Sequence, residues 1–452
     1  MNIERLFNPK SVAIIGASSN IDKLGGIVLN NLVKGKFQGK IYPINPKGGE
    51  IFNIEVIHRI NELPEGVDLA ILALDAETSV TVVKDIGNKK IPFAIIFAGG
   101  YAEIGNYELE KKLEDECENH GVNLIGPNCM GLWNHYSNLN ASFMNILPPQ
   151  VGKVSFVSQS GSLIAVAIYE KIRMGKFISV GNAINIHFQH LIPFLEQDPN
   201  TTIIALYIES LKDGRDFIKS IKDCSKPVIA IRAGISESGQ RSIASHTASL
   251  AGNSAIYNSL FKNYGILQIE SFELLSTLSR AFELMLLPKN NKVLAISNAG
   301  GATCLFSDAC SEYGIETSPL PDKLKNKLRE VWPQQAPLNN PLDLTVTGWT
   351  EQNISNILNI LLDTSIHDYG SIVFMPVIAP YQDAETDAKF AIEFSKKSKI
   401  PFMTCLLSGD KVKPIIPLLD KSEIPYCLSL RETAYVLSLI IEWNKKRQLS
   451  KL

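Results

Sequence analysis

Short apolar runs that alternate with amphipathic stretches dominate the hydrophobic pattern of this chain. The runs end in clusters of Gly, Ser and Asn, and the segments that follow them have the period of a helix. A strand of a parallel sheet is covered by helices on both faces, so it shows as an uninterrupted apolar run. The pattern therefore predicts an α/β fold with parallel, doubly wound sheets.

The predicted strands fall into three groups, and each group is expected to form one sheet. In chain order they are Ser11–Ile15, Lys40–Asn45, Leu69–Leu74, Phe93–Phe97 and a strand just before Gly126; then Val154–Val157, Ile178–Val180, Ile203–Ile208 and Pro227–Ile231; then Lys292–Ser297, Ser371–Val377, Pro401–Leu406 and Ile424–Cys427. Helices are expected over Ser271–Leu287 and Glu432–Lys446.

Two weakly periodic stretches separate the groups. The segment from Trp133 to Gly152 contains Pro148-Pro149 and is expected to be a linker or boundary loop, and Pro288–Asn291 is expected to be a second boundary. Three domains follow from these boundaries, over residues 1–132, 150–287 and 291–452.

Each group opens with a strand that runs into a turn of small residues and then a helix. The turns are Gly16-Ala-Ser-Ser19, Ser158-Gln-Ser-Gly161 and Ser297-Asn-Ala-Gly-Gly301. The first amides of a helix are unpaired and lie at the positive end of its dipole, so anions bind there. Three such turns suggest a protein that handles phosphate or other anions, although any doubly wound domain also needs small residues at these turns.

Composition excludes several classes of function. The chain has 452 residues, a net charge of −2 and 45% hydrophobic residues, so no basic excess points to nucleic acid or an anionic membrane. The seven cysteines form no CxxC pair, which argues against a disulfide framework and a structural zinc site. His187 and His190 are three residues apart, but no third ligand is near, so no metal site is predicted. The N-terminus lacks a signal-peptide pattern and no apolar run approaches a membrane span, so we expect a cytoplasmic protein.

The first turn resembles a dinucleotide-binding fingerprint only loosely. Ser18 replaces the second glycine, and the second strand ends in Asn45-Pro-Lys-Gly-Gly49, without the acid that would bind a ribose diol. A lysine at this position suits an additional phosphate. Lys47 together with Gly16–Ser19 therefore fits coenzyme A, which carries a 3′-phosphate and a pyrophosphate, and NADP is the alternative.

The segment Gly234–Gly252 is rich in Gly, Ser and Ala, and His246 lies in it between Ser245 and Thr247. Neutral imidazole is a good phosphoryl acceptor, and small neighbours leave it room to move. A carboxylate on the other ring nitrogen would fix the tautomer and stabilise the charged product. Glu209, at the end of the strand Ile203–Ile208, is the candidate, because ligand sites lie at the carboxyl ends of parallel strands.

The order and spacing of several motifs resemble one family over almost the whole chain, the α subunits of NDP-forming acyl-CoA synthetases, such as ADP-forming acetyl-CoA synthetase and succinyl-CoA synthetase. The motifs are Ser11–Ser18, Tyr42–Lys47, Ile125-Gly-Pro-Asn-Cys-Met-Gly131, Ser158–Gly161, Tyr207–Glu209, Ser245-His-Thr-Ala-Ser-Leu-Ala-Gly252, Asn298–Gly301 and Asn340-Pro-Leu-Asp-Leu344. The resemblance implies a Rossmann-like CoA-binding domain followed by two flavodoxin-like doubly wound domains.

The resemblance also implies a relay in an acid–thiol ligase. Phosphate attacks the acyl-CoA thioester, and the phosphoryl group of the resulting acyl phosphate passes to His246, held by Glu209, and then to ADP. ADP or ATP with Mg²⁺ would be bound by an ATP-grasp β subunit, in an α₂β₂ assembly by analogy, because no such domain is expected in this chain.

The resemblance assigns two sets of binding residues. The set implied for CoA is Gly16, Ala17, Ser18, Pro43, Lys47, Phe97, Ala98 and Gly99. The set implied for acyl phosphate is Asn128, Cys129, Ser158, Gln159, Ser160 and Gly161. Cys129 is not expected to be a nucleophile, because no base is paired with it.

One departure from the family pattern and two alternative functions accompany this interpretation. Related sequences usually carry an acid a few positions after Gly181-Asn182, whereas no acid occurs here before Glu196, which bears on acyl specificity.

A non-catalytic CoA or acyl-CoA sensor is the main alternative, although a sensor would not need both His246 and Glu209. An NADP-dependent oxidoreductase is the other. Acetyl is the default acyl group of the family.

Overall fold

The computed structural model describes residues 1–146, 150–247, 254–334, 336–379 and 382–449, and of residues 244–247 and 449 only the backbone. The chain divides into two compact units, Met1–Leu275 and Ser276–Leu452. Among the described residues, no helix is both long and apolar enough to cross a membrane.

The first sheet of the N-terminal unit is parallel throughout, in the strand order β2-β1-β5-β6-β7. Its strands and the adjoining hairpin strands β3 and β4 are β1 Ser11–Ile15, β2 Lys40–Ile44, β3 Glu50–Ile51, β4 Ile54–Glu55, β5 Leu69–Leu72, β6 Phe93–Ile96 and β7 Asn123–Ile125. The helices are α1 Glu4–Phe7, α2 Leu24–Lys34, α3 Ala76–Asn88 and α4 Tyr107–His120. Every residue of β1, β5 and β6 is buried, as expected for strands covered on both faces.

The second sheet has seven strands in the order β14-β13-β12-β10-β11-β8-β9. They are β8 Gly131–Asn134, β9 Leu139–Ser142, β10 Val154–Ser158, β11 Met174–Ser179, β12 Ile203–Ile208, β13 Val228–Arg232 and β14 Leu267–Ile269. The helices are α5 Leu163–Tyr169, α6 Phe188–Gln197, α7 Gly214–Lys222, α8 Glu237–Thr247, α9 Ser254–Tyr264 and α10 Phe272–Leu284.

The prediction of a linker from Trp133 to Gly152 is wrong for its first half. β8 and β9 pair with each other, and β8 adds to β11 in antiparallel fashion, so the hairpin forms the edge of the second sheet. All eight of its strand residues are buried, Asn134 and Asn140 among them, because their amides bond to nearby backbone and side-chain atoms. Residues 147–149, with the Pro148-Pro149 pair, lie outside the described residues.

The sheet of the C-terminal unit is parallel, in the order β16-β15-β17-β18-β19. Its strands are β15 Val293–Ser297, β16 Leu342–Asp343, β17 Ser371–Met375, β18 Phe402–Cys405 and β19 Tyr426–Cys427. Its helices are α11 Gly300–Glu312, α12 Asp322–Arg329, α13 Thr345–Gly348, α14 Glu351–Leu361, α15 Ala384–Lys397, α16 Ile416–Lys421 and α17 Leu430–Leu449.

Each turn that is predicted to bind an anion follows the strand at which the strand order of its sheet reverses. β1 lies between β2 and β5, β10 lies between β11 and β12, and β15 lies between β16 and β17. At such a switch point the two flanking connections leave in opposite directions and open a crevice at the carboxyl ends of the strands. The three small-residue turns therefore lie where doubly wound folds bind ligands.

Candidate active site

The turn after β1 is built by glycines that leave no room for side chains. Gly16 has a φ of +88°, and a Cβ there would lie 2.6 Å from the carbonyl oxygen of Ala73. A Cβ on Gly25, in the first turn of α2, would lie 2.0 Å from the carbonyl oxygen of Gly16. The backbone of helix α2 is therefore packed directly on the turn.

Side chains around this turn divide into supporting and exposed groups. The Nδ2 of Asn45 donates to the carbonyl of Ala17 (2.9 Å), and Ser18 Oγ accepts from the amide of Asn20 (3.1 Å). Lys47 is exposed beyond the end of β2, and its amide donates to Asn45 Oδ1 (3.0 Å). The lysine side chain is thus exposed to solvent, and its predicted role in binding a phosphate stays a prediction.

Two of the residues predicted to bind CoA are buried in the fold. Pro43 lies inside β2 opposite Ile14, and the ring of Phe97 is packed edge-on against Phe143 with a centroid distance of 5.3 Å. Gly99, two residues after Phe97, is exposed. A ligand could therefore contact the exposed backbone after β6, but not the buried ring of Phe97.

Asn128 joins the loop after β7 to the loop after β6. It has a φ of +56° and follows a cis Gly126–Pro127 peptide. Its backbone N–H donates to the carbonyl of Ala98 (2.9 Å). Its Nδ2 donates to Asn182 Oδ1 (3.4 Å), which is on the loop after β11. The loops of two neighbouring sheets therefore meet at Asn128.

The Cys129 thiol is turned into the protein interior. Its Sγ donates to the carbonyl oxygen of Ile96 (3.3 Å), and burial raises the pKa of this thiol to about 12. A thiol that stays protonated at neutral pH is a poor nucleophile. The geometry agrees with the expectation that Cys129 does no covalent chemistry.

The turn after β10 supports the strand end that carries Glu209. Gln159 Oε1 accepts from the amides of Glu209 (2.6 Å) and Ser210 (3.0 Å), and the amide of Gln159 donates to the carbonyl of Tyr207 (3.3 Å). Glu209 itself is 8% exposed. Gln159 therefore sets the position of the backbone that presents the predicted partner of His246.

The other residues of this turn are held by local contacts. Ser158 is buried, and its hydroxyl donates to the carbonyl of Ser160 (2.5 Å). The hydroxyls of Ser160 and Ser162 are 3.3 Å apart. A Cβ on Gly161 would lie 2.4 Å from Met130 Cγ, so a larger residue would have to displace the Met130 side chain.

A cleft opens beside Gln159 at the carboxyl ends of β10, β11 and β12. It is lined by Gln159, Val180, Asn182, Ala183, His187, Phe188, Gln189, Ser210, Leu211 and Lys212. Burial, with a further contribution from Lys212, lowers the pKa of His187 to about 4, so this imidazole is neutral at physiological pH. The amide of His187 donates to His190 Nδ1 (3.0 Å), so this pair caps the start of α6. No group of three or more His, Cys, Asp or Glu side chains that could hold a metal ion occurs among the described residues.

His246 lies in helix α8, which follows β13. In the sheet, β13 is the second strand from β10. The backbone of His246 is helical, whereas its side chain lies outside the described part of the chain, as do residues 248–253 of the same motif. At the end of β13, the buried guanidinium of Arg232 lies 4.1 Å from the ring centroid of Tyr257, whose hydroxyl accepts from the amide of Leu211 (3.1 Å). These contacts tie the strand before α8 to the rim of the cleft.

The third turn is organised in the same way within the C-terminal unit. Asn298 exchanges two hydrogen bonds of 2.9 Å with the backbone of Val377, and a Cβ on Gly300 would lie 2.9 Å from Asp343 Oδ2. The turn is therefore fixed to the ends of both neighbouring strands.

Sequence reasoning missed the group around Asn182. Its Nδ2 donates to Glu103 Oε2 and to Glu110 Oε2, both at 2.7 Å. Asn185, three residues on, accepts from the amide of Leu124 (2.8 Å) and donates to the carbonyl of Val122 (3.0 Å). The loop that lacks the acid of related sequences is thus bonded to the first sheet of its own chain.

Comparisons with known proteins agree with this geometry. A family model described as a CoA binding domain matches residues 10–135, and one described as a succinyl-CoA ligase like flavodoxin domain matches residues 151–282. The division into three domains is not tested by these matches and stays a prediction.

Relatives match over most of the chain. The α subunit of acetate–CoA ligase [ADP-forming] II from Pyrococcus furiosus is 35% identical over 434 residues, covering 94% of each chain. Acetate–CoA ligase [ADP-forming] from Methanocaldococcus jannaschii is 39% identical over 342 residues, and the match spans 74% of this chain but about half (48%) of that protein.

A solved structure extends the likeness to three dimensions. A dinucleotide forming acetyl-coenzyme A synthetase 1 from Ca. Korarchaeum cryptofilum, in complex with phosphate and ADP, superimposes with a TM-score of 0.93 at 30% identity, covering 100% of this chain and 99% of that one. The chain therefore belongs to the family of ADP-forming acetate–CoA ligases, which are CoA-dependent acid–thiol ligases, and is of their α-subunit type.

Proposed function

We propose that this chain converts acyl-CoA and phosphate into CoA, free acid and a phosphohistidine on His246. A phosphate oxygen attacks the thioester carbonyl, the C–S bond breaks, and the CoA sulfur leaves with the electron pair and takes up the proton that the phosphate loses, giving the thiol. One ring nitrogen of His246 then attacks phosphorus, and the carboxylate leaves with the electron pair of the broken P–O bond. Glu209 stabilises the imidazolium that forms.

The observation that best supports this proposal is the arrangement around Gln159. One side chain both lines the cleft and fixes the amides of Glu209 and Ser210 at the end of β12. Lys212 at the rim contributes a positive charge, which favours an anionic substrate such as phosphate or a carboxylate.

The binding residues that the family resemblance implies complete the proposal. We assign CoA to the turn Gly16–Ser18, the exposed Lys47 and the backbone of Ala98 and Gly99, with Pro43 and Phe97 supporting these elements from within. We assign the acyl phosphate to Asn128 and the turn Ser158–Gly161.

The phosphoryl group is then transferred to ADP on another subunit. The name α subunit, carried by the Pyrococcus furiosus relatives, supports a separate partner. We propose an ATP-grasp β subunit that binds the nucleotide with Mg²⁺, in an α₂β₂ assembly. Acetate is the proposed acid, and the seven free cysteines fit a cytoplasmic location.

The test is to incubate the chain with acetyl-CoA, Mg²⁺ and ³²P-phosphate, and to map base-stable, acid-labile label by mass spectrometry. We expect label on the His246 peptide, its loss in His246→Asn, and its retention in His120→Asn. His120 is a matched control because it ends α4 and pairs with Glu116 (3.3 Å). Wild-type protein that takes up no label would refute the phosphohistidine mechanism and favour a CoA sensor.

A further inference from the structure

The side-chain amide of Asn182 is hydrogen-bonded to three side chains of the CoA-binding part of the chain. A primary amide has two N–H donors, and here Nδ2 lies 2.7 Å from both Glu103 Oε2 and Glu110 Oε2. Asn128 Nδ2 donates to Asn182 Oδ1. Both donors of Asn182 are thus used within the chain, so this side chain holds neighbouring loops together rather than donating to a substrate.

The second oxygen of Glu103 holds the turn that follows β6. Glu103 Oε1 accepts from the amides of Gly100 (2.5 Å) and Tyr101 (3.1 Å), next to the exposed Gly99 that we assign to CoA. Glu110 Oε2 also accepts from the amide of Ala102 (3.4 Å). Burial favours the neutral carboxyl, but the hydrogen bonds from Asn182 and Gly100 outweigh it and keep the pKa of Glu103 below its ordinary value. Glu103 is therefore an ionised acceptor at neutral pH.

Asn182 is also part of the cleft wall. It lines the cleft with Gln159 and Ser210. Its backbone N–H donates to the carbonyl of Pro127 (3.0 Å). A Cβ on the preceding Gly181 would lie 2.2 Å from the same oxygen, so the two loops are in direct contact. Asn182 thus links the cleft at the end of β11 to the turn beside Gly99.

We propose that Glu103 and Glu110, acting through Asn182, are positioning residues that hold the CoA-binding turn Gly99–Tyr101 in alignment with the cleft beside Gln159. The proposal rests on the function proposed above. Neither glutamate contacts the substrate in this assignment. Displacement of a reacting group by about 1 Å costs on the order of a hundredfold in rate, so loss of this link affects the step in which CoA reacts.

Acetyl phosphate separates the step that needs CoA from the step that does not. In the first, the CoA sulfur attacks the acetyl carbonyl, a C–S bond forms, the C–O bond to phosphate breaks, and phosphate leaves with the electron pair while the thiol proton passes to solvent. In the second, His246 takes the phosphoryl group and acetate leaves. Only the first requires the turn at Gly99 to be aligned with the cleft.

Three variants test the link. Glu103→Gln keeps the size of the side chain and an oxygen for Gly100, but it turns an amide donor toward the donor of Asn182. The triple variant E103Q/E110Q/N182D reverses donor and acceptor at all three positions, so that two glutamines and Asn128 donate to one carboxylate. Glu108→Gln is the matched control, because Glu108 is an exposed glutamate on the same helix α4.

The experiment measures acetyl-CoA formation from acetyl phosphate and CoA, and His246 labelling from acetyl [³²P]phosphate, with the purified chain. We expect E103Q to slow acetyl-CoA formation by about ten- to a hundredfold and to leave labelling within about twofold of wild type. The triple variant should recover most of the lost rate. Equal rates for E103Q and wild type, or an equal loss in both reactions that the triple variant does not restore, would overturn the proposal.

Failure of the underlying function gives a different result. If wild-type protein takes up no label on His246, the fault lies with the phosphohistidine mechanism, and the link is judged on the Kd for CoA by calorimetry. Weaker CoA binding by E103Q but not by E108Q then supports the link between the loops. Binding by E103Q that equals wild type refutes it.

Discussion

Two substitutions of Gln159 can separate its structural support of the Glu209 backbone from the effect of charge in the site. In Gln159→Leu the side chain keeps a similar size but loses the oxygen that accepts from Glu209 and Ser210. In Gln159→Glu that oxygen remains, and a negative charge is added beside Glu209. Both substitutions leave the cleft close to its original volume.

The two variants should differ in stability. A buried donor without a partner costs about 1–3 kcal/mol. Two amides lose their acceptor in Gln159→Leu, but Ser210 is half-buried and water can replace part of the bonding, so we expect a loss of about 2 kcal/mol, at the lower end for two groups. For a domain of 150–250 residues this corresponds to a fall in Tm of about 4–8 °C. Gln159→Glu keeps both acceptor interactions and should unfold within about 2 °C of wild type.

Their effects on labelling should follow the opposite order. An added charge repels a phosphate bound about 6 Å away in the cleft by about 3 kcal/mol at an effective dielectric constant near 20. Gln159→Glu should therefore lower His246 labelling at fixed phosphate by about a hundredfold, and Gln159→Leu by less. Thermal unfolding by calorimetry and ³²P incorporation measure the two quantities. A Gln159→Leu protein as stable as wild type, or a Gln159→Glu protein labelled as fast, would refute this reasoning.

Two further predictions concern packing and thiol reactivity. Gly25→Ala places a Cβ against the carbonyl oxygen of Gly16, so helix α2 must withdraw from the turn; we expect CoA binding at least tenfold weaker by calorimetry, whereas Gly214→Ala, where a Cβ meets nothing within 4 Å, should bind CoA like wild type. Iodoacetamide at pH 8 should modify the exposed Cys304 well before Cys129, whose pKa is raised by burial; mass spectrometry showing Cys129 alkylated first would contradict the buried placement of its thiol.

Much of the fold could be predicted because its central strands are continuous apolar runs. β1, β5, β6 and β13 carry at most one polar residue each and are buried at every residue, so the sequence carries a strong local signal for them. The hairpin β8–β9 was missed because it contains polar residues whose burial depends on contacts made elsewhere, such as the bond from Asn134 to the carbonyl of Phe7, 127 residues away. β16 has only two residues and gives no periodic signal.

The site shows the same division between local and distant information. The three turns could be located from sequence because a glycine- or serine-rich turn after a strand is a local pattern. The role of Gln159 as a support for Glu209 could not, since the two residues are 50 positions apart. The bonds from Asn182 to Glu103 and Glu110 span 79 and 72 positions, and nothing near Asn182 in the sequence indicates them.

Asn182 and, among the positions after Gly181-Asn182, Asn185 have partners within the chain that an acid would not match. An aspartate at 182 would face Glu103 and Glu110, and two like charges about 4 Å apart repel by about 4 kcal/mol at an effective dielectric constant of 20. At 185, an ionised carboxylate could accept from the amide of Leu124 but could not donate to the carbonyl of Val122, as Asn185 does. Asparagine at both positions is thus the residue that matches its neighbours. The side chains of Asn182 and Asn185 are therefore both engaged with the N-terminal part of the chain.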